Sequence, residues 1–289
     1  MSEWLRSLID LFRRNPPPVV AAIRLEGPIG PATRMRTAVN LEGVAKLLAQ
    51  AFSMRNLEAV ALSVNSPGGS PVQSALIMQR VRALAKERDV PVLVFAEDVA
   101  ASGGYLLALA GDEIFAHETS IIGSIGVVFA GFGFSEAIAK LGIERRLYTA
   151  GEDKAILDPF SPEKEKDVAR LRDLQAEVHD YFKDVVKERR GQRLKGPRAK
   201  LFSGDVWTGK EALELGLIDG IGEMRSVLRE RFGENVRIRK VAPRKRSLTS
   251  LFGLATLFDR GSGEIAAASW ADDLLAAVEA RALWDRFGL

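Results

Sequence analysis

The sequence predicts an α/β protein with a parallel sheet at its core, and three observations predict it. Short apolar, β-branched runs recur at Val19 to Leu25, Glu58 to Val64 and Pro91 to Ala96, the pattern of strands buried on both faces. Segments with apolar residues at helical spacing separate them and are long enough to cross from one parallel strand to the next. Glycine-bearing turns then stand where predicted strands end: Ser66-Pro67-Gly68-Gly69, Ala101-Ser102-Gly103-Gly104 and Ile122-Gly123-Ser124-Ile125-Gly126.

In chain order, Trp4, Leu5, Leu8, Ile9 and Phe12 share one face of an N-terminal amphipathic helix, with Arg6, Arg13 and Arg14 beside or after it. Asn15-Pro16-Pro17-Pro18 ends that helix, because proline cannot continue one. After the first strand, Asn40 to Met54 reads as a helix with Asn40 as its N-cap. Val72 to Arg88 is a second helix, after the Ser66 to Pro71 turn. The run Tyr105-Leu106-Leu107-Ala108-Leu109-Ala110 has no polar face, which suits a helix buried on every side. Short apolar runs follow at Glu113 to Ala116 and Ile125 to Phe129, then a helix near Ser135 to Leu141 and a strand at Glu144 to Thr149.

Ser161 to Arg190 is a long charged helix with one apolar stripe: Val168, Leu171, Leu174, Val178, Phe182 and Val185. A short helix at Thr208 to Gly216, a helix at Met224 to Phe232 and a basic strand at Val236 to Val241 complete the domain. The expected organisation is therefore an N-terminal helix and linker (1–18), a main domain (19–241), a linker (242–268) and a C-terminal amphipathic helix (269–289) carrying Trp270 and Trp284.

Composition narrows the chemistry. The chain has 289 residues, no cysteine and two histidines, His117 and His179. Thiol nucleophiles, disulfides and histidine-rich metal centres are excluded, and no cofactor is expected. A net charge of +3 gives no reason to expect a nucleic-acid partner. No run of 18 apolar residues occurs, and the N-terminus lacks the pattern of a signal peptide. A cytoplasmic protein is expected, and the Trp4 to Phe12 helix suits either packing on protein or peripheral contact with the inner face of a membrane.

Hydroxyls, carboxylates, lysines and backbone amides remain. Ser102 stands where a strand hands over to the buried helix, so it is either that helix's N-cap or an exposed nucleophile. Gly68 and Gly69 can present amides to an anion, as in acyl transfer with an oxyanion hole. The base would be His117, just past a predicted strand, or a lysine such as Lys154 after the strand ending near Thr149. Read blind, one lysine among many is a solvated surface residue.

Four motifs, in order and at similar spacings, resemble the signal peptide peptidase A (protease IV) family: Ser66-Pro67-Gly68-Gly69, Ala101-Ser102-Gly103-Gly104-Tyr105, Gly123-Ser124-Ile125-Gly126-Val127 and Val206-Trp207-Thr208-Gly209-Lys210-Glu211-Ala212. The resemblance runs from about Val19 to Gly222. It implies a serine-lysine peptidase of the Clp-protease/crotonase fold. Ser102 then corresponds to the nucleophile and Lys154 to the general base. Gly68 and Gly69 fall on the oxyanion turn, and Ser124 matches the serine that holds the lysine amine. Substrates would be extended, hydrophobic peptides such as signal-peptide remnants. In similar single-domain proteins serine and lysine come from neighbouring subunits of a homo-oligomeric ring.

Such a base is demanding. A free lysine, with a pKa of about 10.4, is neutral in roughly one molecule in 2,500 at pH 7, so the site must bury it away from carboxylates. Glu152 and Asp153 adjoin Lys154 and are expected to point away from it. Two other readings stay open: a crotonase-like acyl-CoA enzyme and a non-catalytic oligomeric scaffold in membrane-protein quality control.

Overall fold

The structure, a computed structural model, describes residues 17–31, 38–151, 153–242, 278 and 281–288. The Trp4 to Phe12 helix and nearly all of the expected linker fall outside those residues. So does most of the C-terminal helix, whose described residues 281–285 are helical.

β1 (Val19–Glu26), α1 (Leu41–Phe52), β2 (Leu57–Ser66), α2 (Pro71–Arg88) and β3 (Val92–Ala101) form successive parallel βα units. The helix starts follow local chemistry. Asn40 accepts the Gly43 N–H at 2.8 Å, and Ser70 accepts the Gln73 N–H with Pro71 in the first turn. α3 (Gly103–Ala108) is buried at every position, as its lack of a polar face requires. β4 (Glu113–Ala116) and β5 (Ile121–Gly123) follow, then α4 (Ser135–Lys140) and α5 (Glu165–Arg190). The rest comprises α6 (Arg198–Leu201), β6 (Val206–Thr208), α7 (Gly209–Glu214), β7 (Gly220–Ile221), α8 (Met224–Phe232) and β8 (Arg237–Val241). Thr208 and Glu211 form a reciprocal capping box at the start of α7.

The sheet order is β6-β5-β3-β2-β1-β8, parallel except for the β5–β6 pair. β3 forks: Leu93 to Ala96 pair with β4, and Val99 to Ala101 pair with β5. At the fork the β2–β3 register shifts between Val64 and Ser66. Asn65 covers the irregularity, accepting the Val99 N–H and donating to Asp98. The detour aims the end of β3, and so Ser102, at the turn after β2.

The main core lies on one face of the sheet, under α1, α2, α3 and the C-terminal half of α5. A smaller cluster on the other face joins Val20, Ala22, Ala59, Ala61, Leu93 and Phe95 to Leu228 of α8. Burial on both faces explains why these strands read as continuous apolar runs.

A buried ion pair clamps α5. Arg190, 2% exposed, grips Asp219 through two bonds of 2.7 and 3.0 Å and donates to the Gly216 carbonyl. Burial opposes the Asp219 charge, yet the hydrogen bond and charge of Arg190, the Ile114 N–H and Arg193 hold its carboxyl below the ordinary range. Arg190→Met would leave that carboxylate to Arg193 and the Ile114 N–H alone and is expected to cost about 1.5–3 kcal/mol, read as a lower urea midpoint. With the folded-state pKa depressed, this stabilisation is present above the unfolded value and is lost as pH falls through the folded one. The gap between variant and native protein should therefore close in acid.

One expectation is corrected. Glu144 to Thr149 is exposed irregular chain rather than a strand, because no sheet edge is offered to it. The short apolar run at Ile125 to Phe129 lies outside the sheet, and the pairing falls just before it, at Ile121–Gly123.

Candidate active site

Ser102 sits at the carboxyl end of β3, where ligand sites of parallel sheets collect. Its backbone is at φ 52°, ψ −123°, and its side chain makes no capping bond to α3. The N-cap reading fails on that observation. A non-glycine residue in this region is strained by about 1–3 kcal/mol and is kept only where its surroundings enforce it. Here they do: Ser102 N–H donates to the Gly123 carbonyl at 2.8 Å, and Leu106 N–H returns to the Ser102 carbonyl at 3.0 Å. The hydroxyl, half-buried, has no hydrogen-bond partner among the described residues.

The Gly68-Gly69 turn lies directly against it. Both glycines have positive φ, 108° and 133°. A Cβ on Gly68 would meet the Ser102 Cβ at 2.8 Å, and one on Gly103 would meet Gly69 N at 3.3 Å. The Gly68 N–H is directed to Ser66 Oγ at 3.2 Å. The N–H groups of Gly69 and Gly103 carry no hydrogen bond among the described residues. Gly103 was not singled out as a donor in the sequence, where its N–H could not be told from any other at a helix start. Gly68→Ala is expected to push Ser102 aside, lowering kcat about 10²-fold. Strain of about 1–3 kcal/mol should accompany it. Peptide hydrolysis and the urea midpoint check the two effects.

Ser124 follows the glycine that accepts from Ser102. It has φ 51°, its N–H donates to the Asp205 carbonyl at 2.7 Å, and it is 7% exposed. Trp207 supports the turn from below: a Cβ on Gly123 would meet the indole ring at 2.5 Å. The Ser124 hydroxyl has no partner among the described residues, an exception for a buried polar group. The structure thus brings together Gly68, Gly69, Ser102, Gly103 and, one residue from the contact at Gly123, Ser124.

Lys154 is not part of that cluster within the chain. It lies in an exposed turn after Gly151 and makes no hydrogen bond or ion pair with either serine. Asp153 does turn to another partner: Lys166 Nζ donates to it at 2.8 Å and holds its carboxyl below the ordinary value. Glu152 lies outside the described residues. His117 is held in a local turn, its Nδ1 meeting Thr119 Oγ1 at 2.9 Å and accepting the Thr119 N–H. It makes no hydrogen bond to Ser102 among the described residues.

The stretch around Lys154 is apolar and open. Phe132 is 77% and Tyr148 90% exposed, with Phe129, Leu141 and Ile143 also uncovered. A groove of about 770 Å³ runs along it, lined by Phe129, Phe132, Phe134, Leu157, Val168 and Leu171. The N-terminal half of the α5 stripe faces this open side, while Phe182, Val185 and Val186 are buried.

Residues 84–235, which include Ser102, Ser124 and Lys154, match Peptidase family S49. The chain belongs to this family. Relatives in S49 include a putative signal peptide peptidase SppA of Enterococcus faecium, 33% identical over 60% of this chain and 49% of that protein. Protease 4 of Haemophilus influenzae is 33% identical over 78% of this chain and 36% of its own length. A further relative, 50% identical over 99% of this chain, is a protein of Brucella abortus named Na(+)/H(+) antiporter NhaA. The chain spans 39% of that protein, and among its described residues no helix is long and apolar enough to cross a membrane. A variant of the 1510-N membrane-bound stomatin-specific protease has a TM-score of 0.50 at 18% identity, covering 78% of this chain and 99% of that one. That likeness is one of fold, and it agrees with the Clp-protease/crotonase-like arrangement expected for S49.

Proposed function

We propose that this S49 protein is a serine endopeptidase in which Ser102 of one subunit works with Lys154 of a neighbouring copy. The observation that carries the reading is the division of the site. Ser102 and Ser124 have hydroxyls without partners among the described residues, while Lys154 stands apart on an exposed apolar stretch. A second copy laid over that stretch would cover its aromatics and bring the lysine amine to Ser124.

In this reading Lys154 takes the Ser102 proton as the oxygen attacks the peptide carbonyl, and the amine returns it to the leaving nitrogen. The Gly69 and Gly103 N–H groups, with the Gly68-Gly69 turn behind them, receive the developing oxyanion. The substrate is an extended apolar peptide, such as a signal-peptide remnant, bound as an added strand. We place the activity at the cytoplasmic side of a membrane, on the amphipathic pattern of Trp4 to Phe12.

The test is hydrolysis of an unstructured apolar peptide by the native protein and its variants. Lys154→Ala is expected to abolish cleavage and His117→Ala to leave it within about twofold. Activity retained by Lys154→Ala would overturn the dyad.

A further inference from the structure

We propose that His179 is a positioning residue for the Ser102–Lys154 site, fixing the turn that carries Ser124. The inference rests on the dyad reading above. His179 lies on α5, and its Nε2 is 3.1 Å from the carbonyl oxygen of Ile125, the residue after Ser124. A carbonyl oxygen only accepts, so Nε2 carries the hydrogen. Both the neutral Nε2–H tautomer and the imidazolium can donate, so the bond does not depend on the charge of the ring.

Ile125 is fully buried, and its carbonyl has no other hydrogen bond among the described residues. Leaving it unpaired would be costly. The turn is thus pinned from two sides, by His179 at Ile125 and by the Asp205 carbonyl at the Ser124 N–H. Between those pins, Ser124 is held at its positive φ.

The same helix also ties down the nucleophile's element. Arg189 donates from Nε to the Leu109 carbonyl and from Nη2 to the Gly111 carbonyl, both at 2.8 Å, just beyond the C-terminal end of α3. Arg190 is locked to Asp219. His179, Phe182, Val186 and Arg190 recur at three- and four-residue steps, one docked face. Along it, His179 and Arg189 are ten residues apart, about 15 Å of rigid helix. α5 is a strut: its middle sets the Ser124 turn, and its C-terminal end sets the helix behind Ser102. Small displacements of a positioned group have large effects on rate.

The experiment compares His179→Leu, which fills the space without a donor, and His179→Gln, which restores an N–H. Each is made in the native protein and in Ser124→Ala. With the apolar peptide as substrate, His179→Leu should lower kcat about tenfold with KM within about twofold. Its kcat–pH profile should move to higher pH by roughly half a unit or more, as a looser Ser124 holds the base less well. His179→Gln should recover most of the rate. In Ser124→Ala, adding His179→Leu should cost little more, because the two act through one hydroxyl. A thermal shift with kcat, KM and the pH profile unchanged would make His179 merely structural and overturn the proposal. Additive losses with Ser124→Ala would also overturn it. Activity retained by Ser102→Ala or Lys154→Ala would instead sink the dyad reading, so the two failures are distinguishable.

Discussion

Ser102→Ala is expected to lose peptidase activity by about 10⁴-fold or more while leaving the fold intact, and Ser102→Gly should be equally inactive but more stable than the native protein. The difference comes from the backbone. At φ 52°, ψ −123° the residue occupies a conformation that glycine adopts readily and a residue with a Cβ does not. Ser102→Ala keeps the Cβ, and with it the strain. Ser102→Gly removes a strain of about 1–3 kcal/mol and gives back about 0.5–1 kcal/mol in chain entropy. The net gain should be about 1 kcal/mol, visible as a rise in Tm of roughly 2–4 °C. A thermal melt of the three proteins checks it. An unchanged Tm for Ser102→Gly would mean that the turn is not strained by its serine. The position would then have to be explained by the hydrogen bonds to Gly123 and Leu106 alone.

The sequence made the central strands and the helices around them legible for one physical reason. Residues Val19 to Ile23, Ala59 to Leu62 and Val92 to Ala96 of the central strands are buried on both faces, so their burial writes uninterrupted apolar runs. Met224–Phe232 and the Asn40 cap were equally readable, since caps and helical spacing are local signals. The elements that went unseen are those whose identity is conferred by partners. β6 and β7 are three and two residues long, too short to show a period, and exist because β5 and β4 accept them. Glu144 to Thr149 shows the reverse: a strand-like pattern that finds no edge. Its apolar residues are exposed in the single chain, which is also the character expected of a surface awaiting a second copy.

The site divides in the same way. Gly68, Gly69 and Ser102 were readable because three glycine-bearing turns follow one another at predicted strand ends, where any one alone reads as a simple chain turn. Whether Ser102 capped a helix or stood free could not be settled without its backbone angles. Gly103 and His179 could not be found at all from the chain. An unpaired N–H and a bond to a carbonyl 54 residues away leave no local trace. Ser124 became a candidate only through the Gly123-Ser124-Ile125-Gly126-Val127 motif, and its buried hydroxyl, without a partner among the described residues, now supplies an independent physical reason.

Mixing two dead variants should restore activity. If Ser102 and Lys154 are drawn from different copies, Ser102→Ala retains a good lysine and Lys154→Ala retains a good serine. Co-assembled at equal amounts, for instance by refolding together, a site is complete when a serine-intact copy meets a lysine-intact neighbour. Random assembly makes that about one site in four, so about a quarter of native activity should return. If each chain completes its own site, every site in the mixture lacks one residue and the activity stays at background. The effect is large in either direction, because the comparison is between a quarter of native turnover and the roughly 10⁴-fold lower rate of either variant alone. A charge on the open apolar stretch separates assembly from chemistry. Phe132→Glu leaves Ser102, Ser124 and Lys154 in place, and Phe132 is 77% exposed in the single chain, so its own fold has little to lose. In the shared-site arrangement it should weaken association and abolish both native activity and the recovery on mixing, with sedimentation showing smaller species. A monomeric Phe132→Glu protein with undiminished turnover would show that one chain suffices, and would return Lys154 to its own Ser102.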